Sequence, residues 1–170
     1  MNVTEAIRAR RSIRKFTGAE IPQKHLDAIL EAAMLGPSAR NMRPYEFAVV
    51  KDRALLKELS EACPRWYMAE GAACVIIVFA RPDLEEGLGH EFWQQDCSAA
   101  TENILLQALE LGYGTCWCGV YPVPSRMEGI RAALNIEDKK CVPFALIAMG
   151  VPAEHPAPRG HYDKSRVKYY

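Results

Sequence analysis

The segment Arg10–Phe16 carries the residue types best suited to chemistry, because its order RRSIRKF places three arginines around one hydroxyl. A guanidinium donates forked, charge-assisted hydrogen bonds that suit a phosphate, and Ser12 adds one more. Each such bond contributes about 1.5–3 kcal/mol, so three or four could hold a phosphorylated cofactor. A solvated basic arm is the alternative, and the commoner fate of a charge run. Ile13 and Phe16 favour phosphate binding, because these apolar side chains must pack on something and no acidic run lies nearby.

Two further segments carry side chains suited to a bound ligand. Gly36–Tyr45 (GPSARNMRPY) combines small residues, which allow close backbone approach, with Asn41, which can donate and accept hydrogen bonds. Taken alone, this pattern is typical of a turn-rich loop. Gly114–Gly119 (GTCWCG) places the flat ring of Trp117 between two glycines, so core packing and contact with a planar cofactor are about equally supported.

Order and spacing exclude several other active-site motifs. Gly112 and Gly114 follow a predicted helix and precede a predicted strand, the reverse of the order in a dinucleotide-binding fingerprint. The chain contains no G-x-S-x-G sequence, and its histidines lack the helical spacing of a zinc site. Cys116 and Cys118 stand too close for a usual zinc pair and are interpreted as core thiols on one face of a strand. We therefore predict no metal site.

Hydrophobic periodicity and capping residues predict the elements that must position these segments. Asn2 with Glu5, and Ser125 with Glu128, form capping-box patterns at two helix starts. The helices and strands do not alternate strictly, so we expect an α+β fold. Helices are predicted at Asn2–Ala9, Pro22–Leu35, from Asp52, at Glu91–Leu111 and from Ser125, and strands at Glu46–Lys51, Ala73–Ala80, Thr115–Tyr121 and Cys141–Met149.

Two stretches predict contacts beyond a simple core. Ile104–Leu111 is apolar almost all round, so this part of its helix should be buried in the core or against a second subunit. The tail His155–Tyr170 shows no hydrophobic periodicity. It should therefore lie along another part of the protein.

Composition and charge limit the classes of function. Apolar residues make up 49% and charged residues 25% of the 170 residues, which excludes a disordered or collagen-like chain. The 21 Lys and Arg balance the 21 Asp and Glu, which argues against a nucleic-acid or membrane-surface binder. Positive charge is nevertheless concentrated in residues 8–15 and in residues 155–170. Six cysteines, with neither a secretory signal nor a long apolar segment, predict reduced thiols in a cytoplasmic protein.

Four motifs in order, RRSIRKF, GPSARNMRPYEF, LGYGTCWCG and GVPAEHPAPRGHY, resemble the small single-domain nitroreductase family of FMN-dependent oxidoreductases. The resemblance covers nearly the whole chain and implies one FMN-binding domain over residues 1–170. The implied fold is α+β, with a central, mostly antiparallel sheet flanked by helices. The implied assembly is an intertwined homodimer with two FMN sites at its interface and an extended C-terminal tail crossing the partner.

The resemblance also implies which residues contact FMN. Those near the N-terminus would hold the phosphate, the ribityl chain and the pyrimidine edge, and those after the second helix would reach the flavin of the other subunit. Those after the long helix would run past the ring, and two residues of the tail would close on the phosphate. These residues are Arg10, Arg11, Ser12 and Arg14; Pro37, Ser38, Ala39 and Asn41; Thr115, Cys116, Trp117 and Gly119; and Arg159 and His161.

The activity implied by the resemblance is hydride transfer. NADH or NADPH would give hydride to flavin N5, and a nitroaromatic, quinone or similar small-molecule acceptor would then take it by a ping-pong mechanism. The flavin carries this chemistry, so no side-chain acid, base or nucleophile is required. The alternative is a flavin-binding or sensing protein with little turnover. An RNA or membrane binder that uses the basic arm is disfavoured by the zero net charge.

Several positions depart from the family pattern or extend it. Arg43 and Tyr45 stand where the family usually has Gln and Trp, and His161 stands where Arg or Lys is common. A histidine at the phosphate predicts weaker FMN retention as the pH rises from 6 to 8, because its positive charge is then lost. Four aromatic residues are candidates for the wall of an open substrate cleft, or equally for core packing. They are Trp66, Tyr67, Phe92 and Trp93.

Overall fold

The computed structural model describes residues 1–84, 87–157, 160 and 162–170. Its helices and strands follow the predicted order, and most bounds lie within two residues of those expected. The helices are α1 (Val3–Ala9), α2 (Gln23–Met34), α3 (Arg53–Ala62), α4 (Trp93–Glu110) and α5 (Pro124–Ala133). The strands are β1 (Tyr45–Val50), β2 (Cys74–Ala80), β3 (Gly114–Gly119) and β4 (Val142–Gly150).

The four strands form one antiparallel sheet in the order β1-β2-β4-β3. The central strand β2 is buried on both faces, as its β-branched sequence predicted. Ile76 packs with α2 and α4 on one face of the sheet, while Ile77 packs with α3 and α5 on the other. Fully burying one such side chain contributes about 1.5–3 kcal/mol. This antiparallel sheet between helices confirms the α+β expectation and leaves β3 at an edge.

The helix α4 is apolar on more of its surface than one chain covers. Ile104 and Ala108 are fully buried against the sheet and α2, whereas Leu106 and Leu109 on the outer side remain half-buried. The single chain therefore explains only part of the apolar pattern of this helix.

The two predicted capping boxes had different outcomes. At α1, Asn2 Oδ1 accepts from the backbone N–H of Glu5 at 2.9 Å, and Glu5 accepts in return, which confirms the first. The second was wrong, because α5 begins at Pro124 and its N-terminal cap, Val123, makes no side-chain bond. Proline lacks an N–H and its φ suits the first turn of a helix, so it begins the helix one residue before Ser125.

Strand β3 also ends earlier than expected. The N–H groups of Val120 and Tyr121 both donate to the carbonyl oxygen of Phe144, at 3.3 and 3.0 Å. Two consecutive donors on one acceptor break the regular ladder. The strand therefore ends at Gly119 rather than at Tyr121.

Candidate functional site

The basic segment Arg10–Phe16 lies along the edge strand β3. The backbone N–H of Ile13 donates to the carbonyl oxygen of Thr115 at 2.8 Å, and Ser12 forms a parallel bridge with the same residue. The Ile13 side chain is buried and crosses Gly114 so closely that a Cβ there would lie 2.8 Å from three of its atoms. The apolar residue between the charges is therefore packed, as the sequence predicted.

The chain after β4 holds the other side of the basic segment. The N–H of Thr17 donates to the carbonyl of Val151 at 3.0 Å, and that of Ala153 donates to Lys15 at 2.9 Å. A carboxylate oxygen of Glu154 accepts from the backbone N–H groups of Arg14 and Lys15, at 2.5 and 3.2 Å. Glu154 thus binds the backbone of the segment, and it forms no ion pair with the Arg14 guanidinium.

A cavity of about 930 Å³, called the basic cavity below, opens beside this segment. Its volume lies within the range of about 300–1,000 Å³ typical of cofactor sites. Five of its lining residues are basic, and one of them, Arg10, also pairs with Glu102 of the helix α4 at 3.5 Å. The lining residues are Ile7, Arg8, Arg10, Arg11, Ser12, Arg14, Lys15, Tyr67, Glu154, Pro156, Gly160 and Tyr162.

Arg11 donates three hydrogen bonds to main-chain carbonyl oxygens, and one of its nitrogens has no partner in the described part of the chain. Its Nη1 donates to the carbonyl oxygens of Arg8 and Arg10 at 2.8 and 2.5 Å, which satisfies the C-terminal end of α1. Its Nε donates to the carbonyl of Ala157 at 3.2 Å. Its Nη2 is buried and finds no hydrogen-bond partner in the described part of the chain. A buried, positively charged donor without a partner is costly, and an anionic ligand oxygen would satisfy it.

The predicted residues of β3 face in two directions. Cys116 and Cys118 are buried together in the core on the α3 and α5 side, which confirms that they share a face. Trp117 is half-buried on the other face and packs against Phe144 with ring centroids 6.2 Å apart. Its observed contact in one chain is therefore core packing. Gly119 is exposed at the end of the strand, and its carbonyl oxygen accepts from Arg126 at 2.9 Å.

The two thiols on β3 have different acidities. A hydrogen bond from the Cys118 thiol lowers the pKa of Cys116 to about 7, and the positive charge of Arg14 acts in the same direction against the effect of burial. Donation of this bond, together with burial, raises the pKa of Cys118. The Cys118 sulfur also lies 3.6 Å from the sulfur of Met68. The thiol nearest the basic segment is thus the acidic one of the pair.

The predicted loop residues lie elsewhere in the single chain. Pro37, Ser38 and Ala39 line a separate cavity of about 330 Å³, called the loop cavity below, which shares no lining residue with the basic cavity. Asn41 lines a third cavity of about 500 Å³ with Arg43. Within one chain, the loop therefore does not reach the basic segment. The assignment of the loop to a partner's flavin site requires this separation.

The loop has an unusual backbone. Arg40, Asn41 and Arg43 all have positive φ, at 51°, 59° and 53°. Left-handed conformations cost non-glycine residues of order 1–3 kcal/mol each, so the surrounding bonds must hold them. Ser38 Oγ accepts from the backbone N–H of Arg43 at 3.0 Å, and Asn41 accepts from the Arg43 side chain at 3.1 Å. Tyr45, where the family usually has Trp, is buried and donates to the carbonyl of Met34.

Sequence reasoning missed Asp96, on the first turn of α4. Its Oδ1 accepts from the backbone N–H of Ala39 at 3.0 Å, and its Oδ2 is buried with no hydrogen-bond partner among the described residues. Burial raises the pKa of Asp96, and the bond from Ala39 opposes this shift. An acidic residue in a first helical turn is ordinary, because it faces the positive end of the helix dipole. Nothing local in the sequence could therefore have identified it.

The remaining candidates are the two tail residues and the four aromatic residues predicted for a cleft wall. Arg159 and His161 lie outside the described residues. Trp66 and Trp93 are core residues rather than cleft walls, since both are buried. Tyr67 and Phe92 are exposed and line the basic cavity and the loop cavity, respectively.

Within the described residues, no group of three or more His, Cys, Asp or Glu side chains is arranged to hold a metal ion. Within the same residues, no helix has the length and apolar character needed to cross a membrane.

Comparisons with known proteins agree with this arrangement. The family model of the nitroreductase family matches residues 7–67 and 62–151. A Methanothermobacter thermautotrophicus protein, provisionally named NADH dehydrogenase/NAD(P)H nitroreductase, is 46% identical over 98% of this chain and 86% of its own. An FMN-dependent nitroreductase from Clostridium difficile superimposes with a TM-score of 0.89 at 30% identity, covering 98% of each chain. A provisional nitroreductase from Desulfovibrio desulfuricans, solved in complex with FMN, has a TM-score of 0.83 at 27% identity, covering 100% of this chain and 97% of its own. The four-motif resemblance is confirmed, and the chain belongs to the nitroreductase family.

Proposed function

We propose that this chain is an NAD(P)H-dependent oxidoreductase that holds FMN in the basic cavity and reduces nitroaromatics, quinones or similar small acceptors. The observation that carries the proposal is the basic cavity itself, of about 930 Å³, lined by five basic side chains from residues 8–15. Relatives similar along nearly the whole chain bear names with the same activity, NAD(P)H nitroreductase and FMN-dependent nitroreductase.

The residues of the basic cavity fit the phosphate end of FMN. The free Nη2 of Arg11 is a buried cationic donor, which a phosphate oxygen would satisfy. Arg10 and Ser12 lie beside it on the same cavity wall, and we assign all three to the phosphate and the ribityl chain. We assign Arg14 to the pyrimidine edge. Arg159 and His161 remain predicted additions to the phosphate site.

The chemistry would come from the cofactor and the positioning from the chain. A bound FMN would supply hydride transfer from NADH or NADPH to an acceptor. Arg14 would contribute a fixed positive charge at the pyrimidine edge, where it would stabilise negative charge. The donor and the acceptor would use one open cleft in turn, so we propose a ping-pong order. No side-chain acid, base or nucleophile is needed.

We propose that the working unit is a homodimer. Val3, Ile7 and Leu35 are exposed apolar side chains on α1 and at the end of α2, beside the half-buried outer side of α4. A shallow cavity of about 410 Å³ joins these elements, with Val3, Leu35 and Leu106 in its lining. A second copy would cover this surface and bring its loop, residues 37–41, to the flavin.

We also propose a cytoplasmic location. All six cysteines are buried, and five of them, Cys63, Cys74, Cys116, Cys118 and Cys141, are free thiols. Free thiols at this density are typical of a reducing compartment. Fractionation of the native cells tests the location, and recovery of the protein from an oxidising compartment would contradict it.

One preparation tests the enzymatic proposal. The purified protein should be yellow, with FMN released on denaturation. Anaerobic NADH or NADPH should bleach the flavin absorbance, and a nitrofuran or a quinone should restore it. A colourless protein that does not take up added FMN contradicts the flavin site. A yellow protein that neither nucleotide bleaches contradicts the reductase and supports a flavin-binding or sensing protein.

A further inference from the structure

We propose that Asp96 is a positioning residue that fixes the loop at residues 37–41 in the conformation needed to line a partner's flavin. The geometry that points to this role is the 3.0 Å hydrogen bond from the backbone N–H of Ala39 to Asp96 Oδ1. The inference rests on the proposed function, because the loop reaches a flavin only in the proposed homodimer.

The bond to Asp96 is what ties the loop to α4. Among the other hydrogen bonds of residues 37–43 within the described residues, one joins the carbonyl oxygen of Arg43 to the N–H of Tyr45, where β1 follows directly, and the rest join members of the loop to each other. Asn41 donates its backbone N–H to Ser38, and Met42 donates to Ala39, both at 3.0 Å. These internal bonds shape the turn, but they do not determine where the turn lies on the protein.

The loop approaches α4 at two points. At Gly36, a Cβ atom would lie 3.3 Å from the backbone nitrogen of Ala100, so the chain passes close to the helix there. Three residues later, Ala39 meets Asp96 one turn earlier on the same helix. The first contact is steric and the second is directional. Together they set the position and the orientation of the loop.

The backbone of the loop needs such an anchor. Three non-glycine residues, Arg40, Asn41 and Arg43, hold left-handed conformations that an unconstrained chain rarely adopts. A strained segment persists only where its surroundings over-determine it. The bond from Ala39 lies immediately before the first of these residues. Loss of that bond should therefore let the loop relax.

The environment of Asp96 indicates that stability alone does not explain the residue. The side chain is 5% exposed, and its Oδ2 has no hydrogen-bond partner in the described ranges. No ion pair to Asp96 is found among those residues either. An unpartnered carboxylate oxygen in such a place is unfavourable for folding. The one hydrogen bond that the carboxylate accepts from the described residues comes from the loop.

The test removes each end of the bond in turn. Asp96→Ala deletes the acceptor, and Asp96→Asn retains an acceptor oxygen for Ala39. Ala39→Pro deletes the donor, and Ser38 already has the extended backbone that a following proline favours. Thr101→Val is the matched control, because Thr101 is a buried residue of the same helix whose hydroxyl bonds to Cys97 within α4.

Two readouts are measured, namely the Kd for FMN and the hydrogen-exchange rate of the loop amides in FMN-free protein. Asp96→Ala and Ala39→Pro should each raise the Kd at least tenfold, and the double variant should be no worse than either single variant. The exchange of the Asn41 and Met42 amides should rise at least tenfold in both. Asp96→Asn and Thr101→Val should stay within threefold of the wild-type protein in Kd.

The outcomes separate this inference from the proposed function. A wild-type protein that binds no FMN contradicts the flavin site, while the exchange rates still report whether Asp96 anchors the loop. Unchanged Kd and exchange in Asp96→Ala overturn the inference. If Asp96→Ala does not fold, Ala39→Pro carries the test, because it leaves the carboxylate in place. A loss of FMN in Thr101→Val equal to that in Asp96→Ala would show a general effect of α4 and would also overturn it.

Discussion

The backbone N–H of Ile13 donates to the carbonyl oxygen of Thr115 at 2.8 Å, and this bond fastens the basic segment to the edge strand β3. The two residues belong to motifs about a hundred positions apart in the sequence. The bond holds the arginines on either side of Ile13 at one wall of the basic cavity. The position of the proposed phosphate site thus depends on a main-chain contact as well as on charge.

The close approach of Gly114 to Ile13 gives the first prediction. A Cβ at residue 114 would lie 2.8 Å from three atoms of the Ile13 side chain, so Gly114→Ala must displace the basic segment. We expect at least a tenfold rise in the Kd for FMN and a loss of about 1–3 kcal/mol of unfolding free energy. Titration with FMN and urea unfolding measure the two effects. Gly71→Ala is the control, because a Cβ there meets only one atom, at 4.0 Å. Equal effects of both variants would contradict the prediction.

The guanidinium of Arg14, whose Nη1 donates only a long hydrogen bond of 3.5 Å to the carbonyl oxygen of Ser12 among the described residues, gives the second prediction. Arg14 is exposed in the basic cavity and forms no ion pair within the described part of the chain. Arg14→Ala should therefore release FMN from a folded protein, with a Kd raised at least tenfold and an unfolding temperature within a few degrees of wild type. Lys57→Ala removes an exposed cation that pairs with Glu61 on the surface of α3 and should change neither quantity. Retention of FMN by Arg14→Ala would mean that the Arg14 side chain is merely solvated.

The local chemistry of the site could be predicted from the sequence, but its assembly could not. The residues around Ile13 showed by type and spacing that they suit a phosphate and that the segment must pack. They did not show that Thr115 is the partner, because strand-edge contacts of such long range leave no local pattern. Asp96 left no signal either, since its role depends on a backbone amide 57 residues earlier. Arg11 was predicted as a ligand-binding residue, yet three of its hydrogen bonds go to main-chain carbonyls. That part of its role follows from where α1 ends.

The exposed apolar surface at α1 and α2 gives the third prediction. Leu35 is 76% exposed beside Val3 in the shallow cavity, so a second copy should cover it. Leu35→Glu would place a charge in that contact and should shift the protein from dimer to monomer in analytical ultracentrifugation. FMN should be lost with the dimer if the partner's loop completes the site. Leu84→Glu, at a half-exposed leucine away from this surface, is the control. A wild-type protein that is monomeric with FMN bound would contradict the prediction.

The acidic thiol beneath the basic segment gives the last prediction. The hydrogen bond from Cys118, assisted by the charge of Arg14, lowers the pKa of Cys116 from about 9 to about 7. As the pH rises from 6 to 8, FMN-free protein should gain the 240 nm absorbance of one thiolate, with a midpoint near pH 7. Cys116→Ser should abolish this step, and Cys118→Ala should move it to higher pH, because the donor that stabilises the thiolate is then absent. Cys74→Ser should leave the step unchanged, since burial raises the pKa of Cys74 to about 12. A step that persists in Cys116→Ser, or a midpoint near 9 in the wild-type protein, would show that Cys118 does not stabilise a thiolate at Cys116.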